Sequence, residues 1–229
     1  MPIDKYSSTY TVLMSIYIET KLSDLKNSLN DILTQTLQPS QVIIVNDGPI
    51  ENEVKFFLQD FPQDLLCNIG YKNNKGLGSA LMFAQSYIKH PFVLRMDSDD
   101  RCSIRRAELL MNAINVDQSD VAGCYAKEIN SVEGSSRFLT YNLKKKKFQL
   151  FNYLRDPLCH ASCLIRTESL LKAGGYKPLM YFEDTYLWLR MSKLNMRLVN
   201  IPDILYFIIE DDSFYRRRSG SRYIKKEMQ

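Results

Sequence analysis

The most chemically informative segment of the sequence is short and acidic. Asp97, Asp99 and Asp100 place three carboxylates within four residues. Ionised carboxylates at this spacing repel one another, so a loop that keeps them charged needs a cation or strong hydrogen-bond donors nearby. Hard oxygen ligands suit Mg²⁺ or Mn²⁺, which keep several waters and bridge to the phosphates of a nucleotide. The competing interpretation is structural, because Asp and Ser are ordinary turn and helix-cap residues.

Three other segments carry groups that could bind or react. Asn46-Asp47-Gly48 is a turn with one carboxylate, and Asn73-Asn74-Lys75-Gly76-Leu77-Gly78 ends in a GxG. This GxG could cradle a phosphate at a helix start, or could be a simple tight turn. Glu183-Asp184 precedes the apolar-periodic segment Tyr186–Leu194. Its carboxylates could serve as a general base, or could stabilise the helix N-terminus by ~0.5–2 kcal/mol.

The hydrophobic pattern predicts the elements that position these groups. Tyr10–Ile18 is rich in β-branched and aromatic residues and too continuous to be a half-exposed strand, which is typical of a buried parallel strand. Leucines and isoleucines from Leu22 to Leu33 then recur at helical spacing, with Pro39 beyond them. The alternation of strand and helix continues with strands at Gln41–Val45, Leu65–Ile69 and Phe92–Met96 and helices at Glu51–Gln59, Ser79–Ile88 and Ile104–Ile114. We therefore predict an α/β fold, with a mostly parallel central sheet and helices on both faces.

The second half of the chain has a different rhythm. Val121–Ile129 and Arg137–Tyr141 indicate a hairpin, which would add to the sheet in antiparallel fashion. Further helices are predicted at Lys146–Leu154 and Thr185–Leu194, with a strand at Ala161–Ile165 between them. Because no Pro-, Gly- or Ser-rich linker interrupts the sequence, we predict a single domain over residues 1–229.

The predicted order puts each polar segment directly after a strand. Ligands of open parallel sheets collect at the carboxyl ends of the strands. After the first strand, Glu19-Thr20-Lys21 contains no glycine. A dinucleotide-binding dehydrogenase would need its glycine-rich turn there, so that class is disfavoured. The glycine-rich, arginine-containing loop of nucleotidyltransferases is missing as well.

Composition excludes several other classes. Lys and Arg total 30 against 26 acidic residues, a net charge of +4 that does not argue for nucleic-acid binding. The longest apolar runs fall short of the ~20 residues that span a bilayer, and the first residues do not resemble a signal peptide. The five cysteines are an odd number without paired CxxC spacing, which favours reduced thiols and a cytoplasmic location.

Taken in order, these segments resemble the inverting family 2 glycosyltransferases with a GT-A fold, in the bacterial polysaccharide branch of amylovoran-type and galactosyltransferase-like members. The resemblance extends from about Tyr10 to Gly220. The chain departs from the family pattern at Asn46, where an aspartate is common, at Asp156, where an asparagine is usual, and at Cys159. The matching segments are Val42–Gly48, Asn74–Leu81, the DxD segment Arg95–Asp100, Asp156–His160, Gly174–Tyr176 and Phe182–Trp188.

The resemblance implies a donor site for a nucleotide-diphosphate sugar in residues about 10–100. Asp99 would bind Mn²⁺ or Mg²⁺, and Asp97 would bind the metal or the ribose. Asp47 would accept a hydrogen bond from the nucleobase, Glu19 would help to line that pocket, and Asn74 belongs to the donor loop. UDP is the nucleotide that the resemblance favours.

The same resemblance implies an acceptor-side half in residues about 101–220. Asp184 is the candidate general base of an inverting, metal-dependent hexosyltransferase. Glu183, His160 and Arg216 are candidate contacts to the acceptor or the donor phosphates, although a lone histidine is often only structural. The arginines Arg216–Arg218 could equally form a solvated tail.

The resemblance also implies partners: a saccharide acceptor, lipid-linked in polysaccharide assembly, at the inner face of the cell membrane. The run Lys144–Lys147 is either a solvated surface or a contact with an anionic membrane. Two alternatives to an enzyme stay open. One is a catalytically silent nucleotide-sugar-binding scaffold of a polysaccharide assembly complex, and the other is a basic peripheral membrane adaptor.

Overall fold

The computed structural model describes residues 8–140, 156–179 and 181–210. Its N-terminal half contains four parallel strands: β1 (Tyr10–Ile16), β2 (Gln41–Asp47), β3 (Leu66–Tyr71) and β4 (Phe92–Arg95). The strand β1 lies between β2 and β4 and pairs with both in parallel. Its side chains are buried almost throughout, as the continuous apolar run predicts for a central strand.

Helices cover both faces of this sheet, which confirms the predicted layering. They are α1 (Leu22–Leu33), α2 (Asn52–Gln59), α3 (Leu77–Ala84) and α4 (Arg106–Val116). On one face, α1, α2 and α4 pack on the even-numbered side chains of β1, such as Val12 and Met14. On the other face, α3 packs against Leu13 and its neighbours. The alternation of side chains along β1 thus supplies both cores.

The C-terminal half extends the same sheet. Its elements are β5 (Arg101–Cys102), β6 (Val121–Asn130), β7 (Ser136–Leu139), β8 (Leu164–Arg166), β9 (Leu198–Glu210), α5 (Thr167–Lys172) and α6 (Glu183–Lys193). The described strands form one nine-stranded sheet in the order β3-β2-β1-β4-β8-β6-β9-β5, with β7 paired to β6. Strand β8 is antiparallel to both β4 and β6, and the β6–β7 hairpin forms as predicted.

The structure differs from the sequence-based prediction in several places. The helix predicted at Ser79–Ile88 spans Leu77–Ala84 and is followed by a 3-10 turn at Gln85–Tyr87. The strand predicted to begin at Ala161 begins at Leu164, because His160–Ser162 forms a 3-10 turn. The long strand β9 was not predicted at all. It contains Pro202, which cannot donate to a ladder, and its pairing with β6 shifts register next to that proline. The helix predicted at Lys146–Leu154 lies outside the described residues.

Among the described residues, no helix has both the length and the apolar composition needed to cross a membrane. The predicted division into a donor half of residues about 10–100 and an acceptor-side half of residues about 101–220 stays a prediction. The sheet itself passes from one half to the other without interruption, since β8 joins β4 to β6.

Candidate active site

The polar segments meet at the carboxyl edge of the parallel strands. The chain leaves β1 through a turn in which the Thr20 amide donates to the carbonyl oxygen of Tyr17 at 3.0 Å. The Thr20 hydroxyl oxygen accepts from the Tyr17 amide at 3.0 Å. Glu19 is exposed in this turn and accepts a hydrogen bond from the Tyr17 hydroxyl at 3.3 Å. The predicted pocket residue is therefore at the expected edge of the sheet.

Asp47, the last residue of β2, fixes the loop that follows β3. Its two carboxylate oxygens accept from the backbone amides of Lys75 and Gly76, at 2.7 and 2.9 Å. The Asn74 side-chain amide donates to the Asp47 carbonyl oxygen at 3.1 Å. The next residue, Gly48, has a φ of +91°, and a Cβ on it would lie 2.7 Å from the Asn74 backbone nitrogen. The structure thus brings Asp47 and Asn74 together, with the buried carboxylate directed at the loop.

The same loop begins α3 and touches the C-terminal half of the chain. Gly76 precedes the helix with a φ of +86°. A Cβ on Gly78 would lie 2.4 Å from the Leu179 carbonyl oxygen and 2.7 Å from that of Lys177. Only glycine permits this approach of backbone to backbone. The loop is therefore packed against the segment that leads towards α6.

An open cleft of about 500 Å³ lies beside the ends of β2 and β3. The side-chain oxygen of Asn46 is buried there and has no hydrogen-bond partner among the described residues. Buried polar atoms normally find a partner in protein, water or ligand, so this oxygen is an available acceptor. The cleft is lined by Asn46, Gly48, Pro49, Asn68, Ile69, Gly70, Tyr71 and Lys72.

A buried arginine at the end of β4 provides a positive charge beside the acidic loop that follows this strand. Arg95 is fully buried, and its guanidinium donates to the Asp97 carboxylate and to the carbonyl oxygen of Met96. A further bond reaches the carbonyl oxygen of Leu13 at 3.4 Å. The strong donor that an acidic loop requires is thus supplied, for Asp97, by the protein itself.

Asp100 anchors the loop to the last described strand. Its carboxylate accepts from the Ile209 amide at 3.1 Å and from the Tyr206 hydroxyl. Burial, followed by the charges of Asp97 and Asp99, raises the pKa of Asp100 well above its usual range. The Tyr206 hydroxyl oxygen in turn accepts from the Asp97 amide at 3.1 Å. Asp100 therefore acts as a buried structural group.

Asp99 is half-buried and lies between these two anchored aspartates. Within residues 8–140, 156–179 and 181–210, no three His, Cys, Asp or Glu side chains are grouped to hold a metal. The arrangement fits a cation that takes one or two protein carboxylates and completes its shell with phosphate oxygens and water, as Mg²⁺ does. It does not fit a site built from protein ligands alone.

A second acidic group forms at the start of α6. Burial raises the pKa of Asp184 to about 7, and the neighbouring Asp156 and Glu183 carboxylates add to the effect. The residue that caps the helix is Phe182, without a side-chain bond, so Asp184 is not the cap. Its Oδ1 accepts from the Thr185 amide at 2.7 Å. An aspartate that titrates near neutrality is suited to take up a proton.

Glu183 connects the two acidic groups. It is buried, and its Oε2 has no hydrogen-bond partner among the described residues. Burial raises the pKa of Glu183, the positive charge of Arg95 opposes that rise, and the charges of Asp97 and Asp156 increase it. The acidic loop and the start of α6 therefore lie within electrostatic reach of one another, with the Arg95 guanidinium as their shared cation.

His160 lies in a buried aromatic cluster. Its Nε2 is 3.0 Å from the Tyr176 hydroxyl, and its ring packs edge-on to Trp188 with centroids 5.8 Å apart. Burial, and then the charge of Arg95, lower the pKa of His160 well below its usual range. The imidazole is neutral and held from two sides. The predicted contact Arg216 lies outside the described residues, as do Lys144–Lys147.

Sequence reasoning assigned no role to Arg95, Tyr206 or Thr185. Arg95 could have been noticed, because an arginine inside a continuous buried strand must find partners for its charge. Tyr206 and Thr185 carried no comparable signal. Tyr206 reaches the acidic loop from 109 residues away along the chain.

Comparison with known proteins agrees with this geometry. The family model described as "Glycosyl transferase family 2" matches residues 11–174. The amylovoran biosynthesis glycosyltransferase AmsE of Erwinia amylovora is 29% identical over 221 residues, which cover 96% of this chain and 83% of that protein. An Escherichia coli UDP-Gal:alpha-D-GlcNAc-diphosphoundecaprenol beta-1,3-galactosyltransferase is 25% identical over 221 residues, covering 96% and 80%.

Solved structures show the same fold. Staphylococcus aureus TarS residues 1–349 in complex with UDP-GlcNAc superimposes with a TM-score of 0.72 at 20% identity, over 91% of this chain and 64% of that one. A further TarS structure gives a TM-score of 0.71 at 20% identity, and there the chain spans only 38% of the matched protein. These likenesses show a GT-A-like α/β fold, with helices on both faces of the sheet.

Proposed function

This chain belongs to glycosyl transferase family 2, and from that premise we propose that it transfers a sugar from a nucleotide-diphosphate donor to a saccharide acceptor with inversion at the anomeric carbon. The relatives support a role in surface-polysaccharide assembly, since one is named as an amylovoran biosynthesis glycosyltransferase. A UDP-sugar is the donor we propose, because one relative is named for UDP-Gal and a structural neighbour is bound to UDP-GlcNAc.

The observation that carries the proposal is the position of Asp184. Its pKa of about 7 results from burial and from the carboxylates of Asp156 and Glu183. A general base works best when its pKa lies near the working pH, because it is then both ionised and basic. We assign to Asp184 the removal of the acceptor hydroxyl proton as that oxygen attacks the sugar. Glu183, buried beside Asp184, would contribute to the negative electrostatic potential that raises the pKa of Asp184.

On the donor side, the backbone positions the nucleotide. Asp47 holds the loop of Lys75 and Gly76 through two amide hydrogen bonds, and Asn74 closes the same turn. The cleft beside this turn is within the size range of small-ligand sites, and the buried oxygen of Asn46 offers an acceptor there. We propose that the nucleobase binds at this edge, with Asp47 as its hydrogen-bond acceptor and Glu19 at the rim.

For the diphosphate we propose Mn²⁺ or Mg²⁺ bound through Asp99, with Asp97 as a further ligand to metal or ribose. Such a cation would neutralise the negative charge that develops on the departing diphosphate. The protein contributes the carboxylates and keeps them apart. Asp97 is oriented by Arg95, and Asp100 is fixed to β9 through Ile209.

We further propose that the acceptor is lipid-linked and that the enzyme works at the inner face of the cell membrane. One relative is named for a diphosphoundecaprenol-linked substrate. The basic runs Lys144–Lys147 and Arg216–Arg218 would provide the attraction to an anionic leaflet. We also propose that Arg216 and His160 contact the phosphates or the acceptor. Because His160 lies in a buried aromatic cluster, we favour a supporting role for it.

The test is sugar transfer by Asp184→Asn at saturating donor. Asparagine keeps the size of the side chain and an acceptor for the Thr185 amide, but it cannot take up a proton. We expect unchanged donor affinity and melting temperature, and a transfer rate lower by the ~10²–10⁴-fold typical of a lost base. The matched control is Asp117→Asn, an exposed aspartate at the end of α4 that pairs with Arg197. Near-normal transfer by Asp184→Asn would remove this residue from the mechanism.

The same assay separates an enzyme from a silent scaffold. A scaffold that only binds nucleotide sugars would bind donor normally yet neither transfer nor hydrolyse it under any metal condition. We favour catalysis because perturbed pKa values cluster at functional sites, and the pKa of Asp184 is raised to about 7 beside two further carboxylates.

A further inference from the structure

A single residue, Thr185, contacts two carboxylates at the start of α6. Its hydroxyl donates to Oδ1 of Asp156 at 2.7 Å, and its backbone amide donates to Oδ1 of Asp184 at 2.7 Å. The first bond comes from 29 residues away along the chain and reaches the helix from the Asp156-Pro157 segment. The orientation of the first turn of α6 is therefore coupled to the Asp156 carboxylate.

The charges around this pair come from several elements. Asp156 lies in the segment before the 3-10 turn, Glu183 lies on α6 itself, and Arg95 of β4 faces Glu183. The Tyr176 hydroxyl, in the loop after α5, also interacts with Asp184 and Glu183. Burial raises the pKa of Asp156, and the bond from Thr185 lowers it. Arg95 is thus the cation among these groups, and it lies on the side of Glu183.

We propose that Asp156 is a positioning residue for Asp184: through Thr185 it orients the Asp184 carboxylate, and its own charge sets the electrostatic environment in which Asp184 takes up a proton. The proposal rests on the proposed function, in which Asp184 is the base. Asp156 itself need not touch donor or acceptor. It acts on Asp184 through the hydrogen bonds of Thr185 and through the electrostatic interaction between the two carboxylates.

The geometry favours this role over a purely structural one. A bond that only closed a turn would be served equally by an uncharged acceptor. Here the acceptor is a second carboxylate, joined to Asp184 through the two hydrogen bonds of Thr185, and its negative charge raises the pKa of Asp184. That arrangement costs stability in the absence of substrate, which is typical of groups arranged for proton transfer.

Asp156→Asn provides the first test, because asparagine keeps an oxygen for the Thr185 hydroxyl and removes only the charge. Without the Asp156 charge, the pKa of Asp184 falls, so the base stays ionised to lower pH. We expect the acidic limb of the kcat/KM profile to move down by about one pH unit, while donor affinity stays unchanged. At high pH, we expect a modest loss of kcat, since the base is weaker.

Thr185→Val and Thr185→Ser test the hydrogen bond separately. Valine keeps the shape of threonine without the hydroxyl, and serine restores the hydroxyl. We expect kcat to fall about tenfold in Thr185→Val and to recover in Thr185→Ser, with donor affinity constant in both. The wild type is the control for the two Thr185 variants. For Asp156→Asn the control is Asp117→Asn, which removes one charge elsewhere in the protein.

Three outcomes decide the matter. An unchanged acidic limb in folded Asp156→Asn, with Asp184→Asn inactive, overturns the inference and leaves the proposed function intact. Normal transfer by Asp184→Asn overturns the base assignment and the inference with it. If Asp156→Asn does not fold, the Thr185 pair decides alone: equal kcat in Thr185→Val and wild type overturns the positioning role, and loss with recovery in serine supports it.

Discussion

Arg95 and Asp97, two residues apart at the end of β4, form an ion pair in which the arginine side chain is 1% exposed and the aspartate 37%. The carbonyl oxygens of Leu13 and Met96 accept hydrogen bonds from the guanidinium, so its positive charge has a fixed position beneath the acidic loop. It also opposes the raised pKa of Glu183 at the start of α6. One buried cation thereby serves the donor side and the acceptor side of the proposed site.

Replacing Arg95 with methionine should be destabilising. The variant removes the donor of the Met96 and Leu13 carbonyl oxygens, which costs about 1–3 kcal/mol, while the Asp97 carboxylate, 37% exposed, can be solvated by water. We expect Arg95→Met to lower the free energy of unfolding in urea by that amount. The control is Arg105→Met, whose exposed pair with Glu108 should contribute about 0–1 kcal/mol. Similar small losses in both variants would contradict a central electrostatic role for Arg95.

Removing the Asp99 carboxylate should abolish the response of donor binding to divalent cations. Asp99→Ala removes a half-buried side chain from a loop, so stability should change by less than about 1 kcal/mol. Calorimetric titration with a nucleotide sugar should show at least about tenfold weaker binding in Mn²⁺, and no further effect of a chelator. The control is Asp60→Ala, an exposed aspartate after α2. Equal affinity in wild type and Asp99→Ala would refute the metal assignment.

Asp47→Asn should release the loop that begins α3. An asparagine offers one acceptor oxygen where the carboxylate offers two, so either the Lys75 or the Gly76 amide loses its bond. Because Lys75 is exposed and Gly76 half-buried, water can replace the lost partner, and the net cost is about 0.5–1.5 kcal/mol. Hydrogen exchange at these two amides should accelerate, and donor affinity should fall. Asp64→Asn, which alters an exposed aspartate, is the control. Unchanged exchange would show that the loop holds its shape without Asp47.

The attraction of the run Lys144–Lys147 to an anionic membrane can be tested by removing its positive charges. Replacing all four residues of Lys144–Lys147 with glutamine should weaken binding to anionic vesicles at low salt, at about 1 kcal/mol per basic residue near the surface. A control variant that changes the exposed Lys55, Lys89, Lys172 and Lys193 to glutamine has the same net charge. Equal vesicle binding by the two variants would mean that the run is only a solvated surface.

Much of the N-terminal half could be predicted from its sequence, because its signals are local. Tyr10–Ile16 is buried on both faces and is therefore apolar at most positions, without the alternation of a half-exposed strand. Strand ends in such a sheet share one edge, so the positions of Asp47 and of the acidic loop followed from the order of elements. These inferences needed no knowledge of which side chains meet.

The interactions that hold the candidate site together were beyond local reasoning. Tyr206 belongs to β9, whose pattern is obscured by Pro202 and by the register shift beside it. Its bond to the Asp97 amide joins residues 109 positions apart. Likewise, the contact of Thr185 with Asp156 depends on how α6 is placed against another segment. Sequence spacing contains no measure of such distances.

The anchoring of the acidic loop by β9 has a consequence for synthesis on the ribosome. The loop emerges early, but Tyr206 and Ile209, which bind Asp97 and Asp100, lie 109 residues further along the chain. At about 5–20 residues per second, their translation follows that of the loop by roughly 5–20 seconds. Over that interval β1–β4 can pair, while the carboxylate of Asp100 lacks the donors that hold it in the finished protein. We expect a nascent chain stalled before residue 198 to show a protected β1 and an exchange-labile acidic loop.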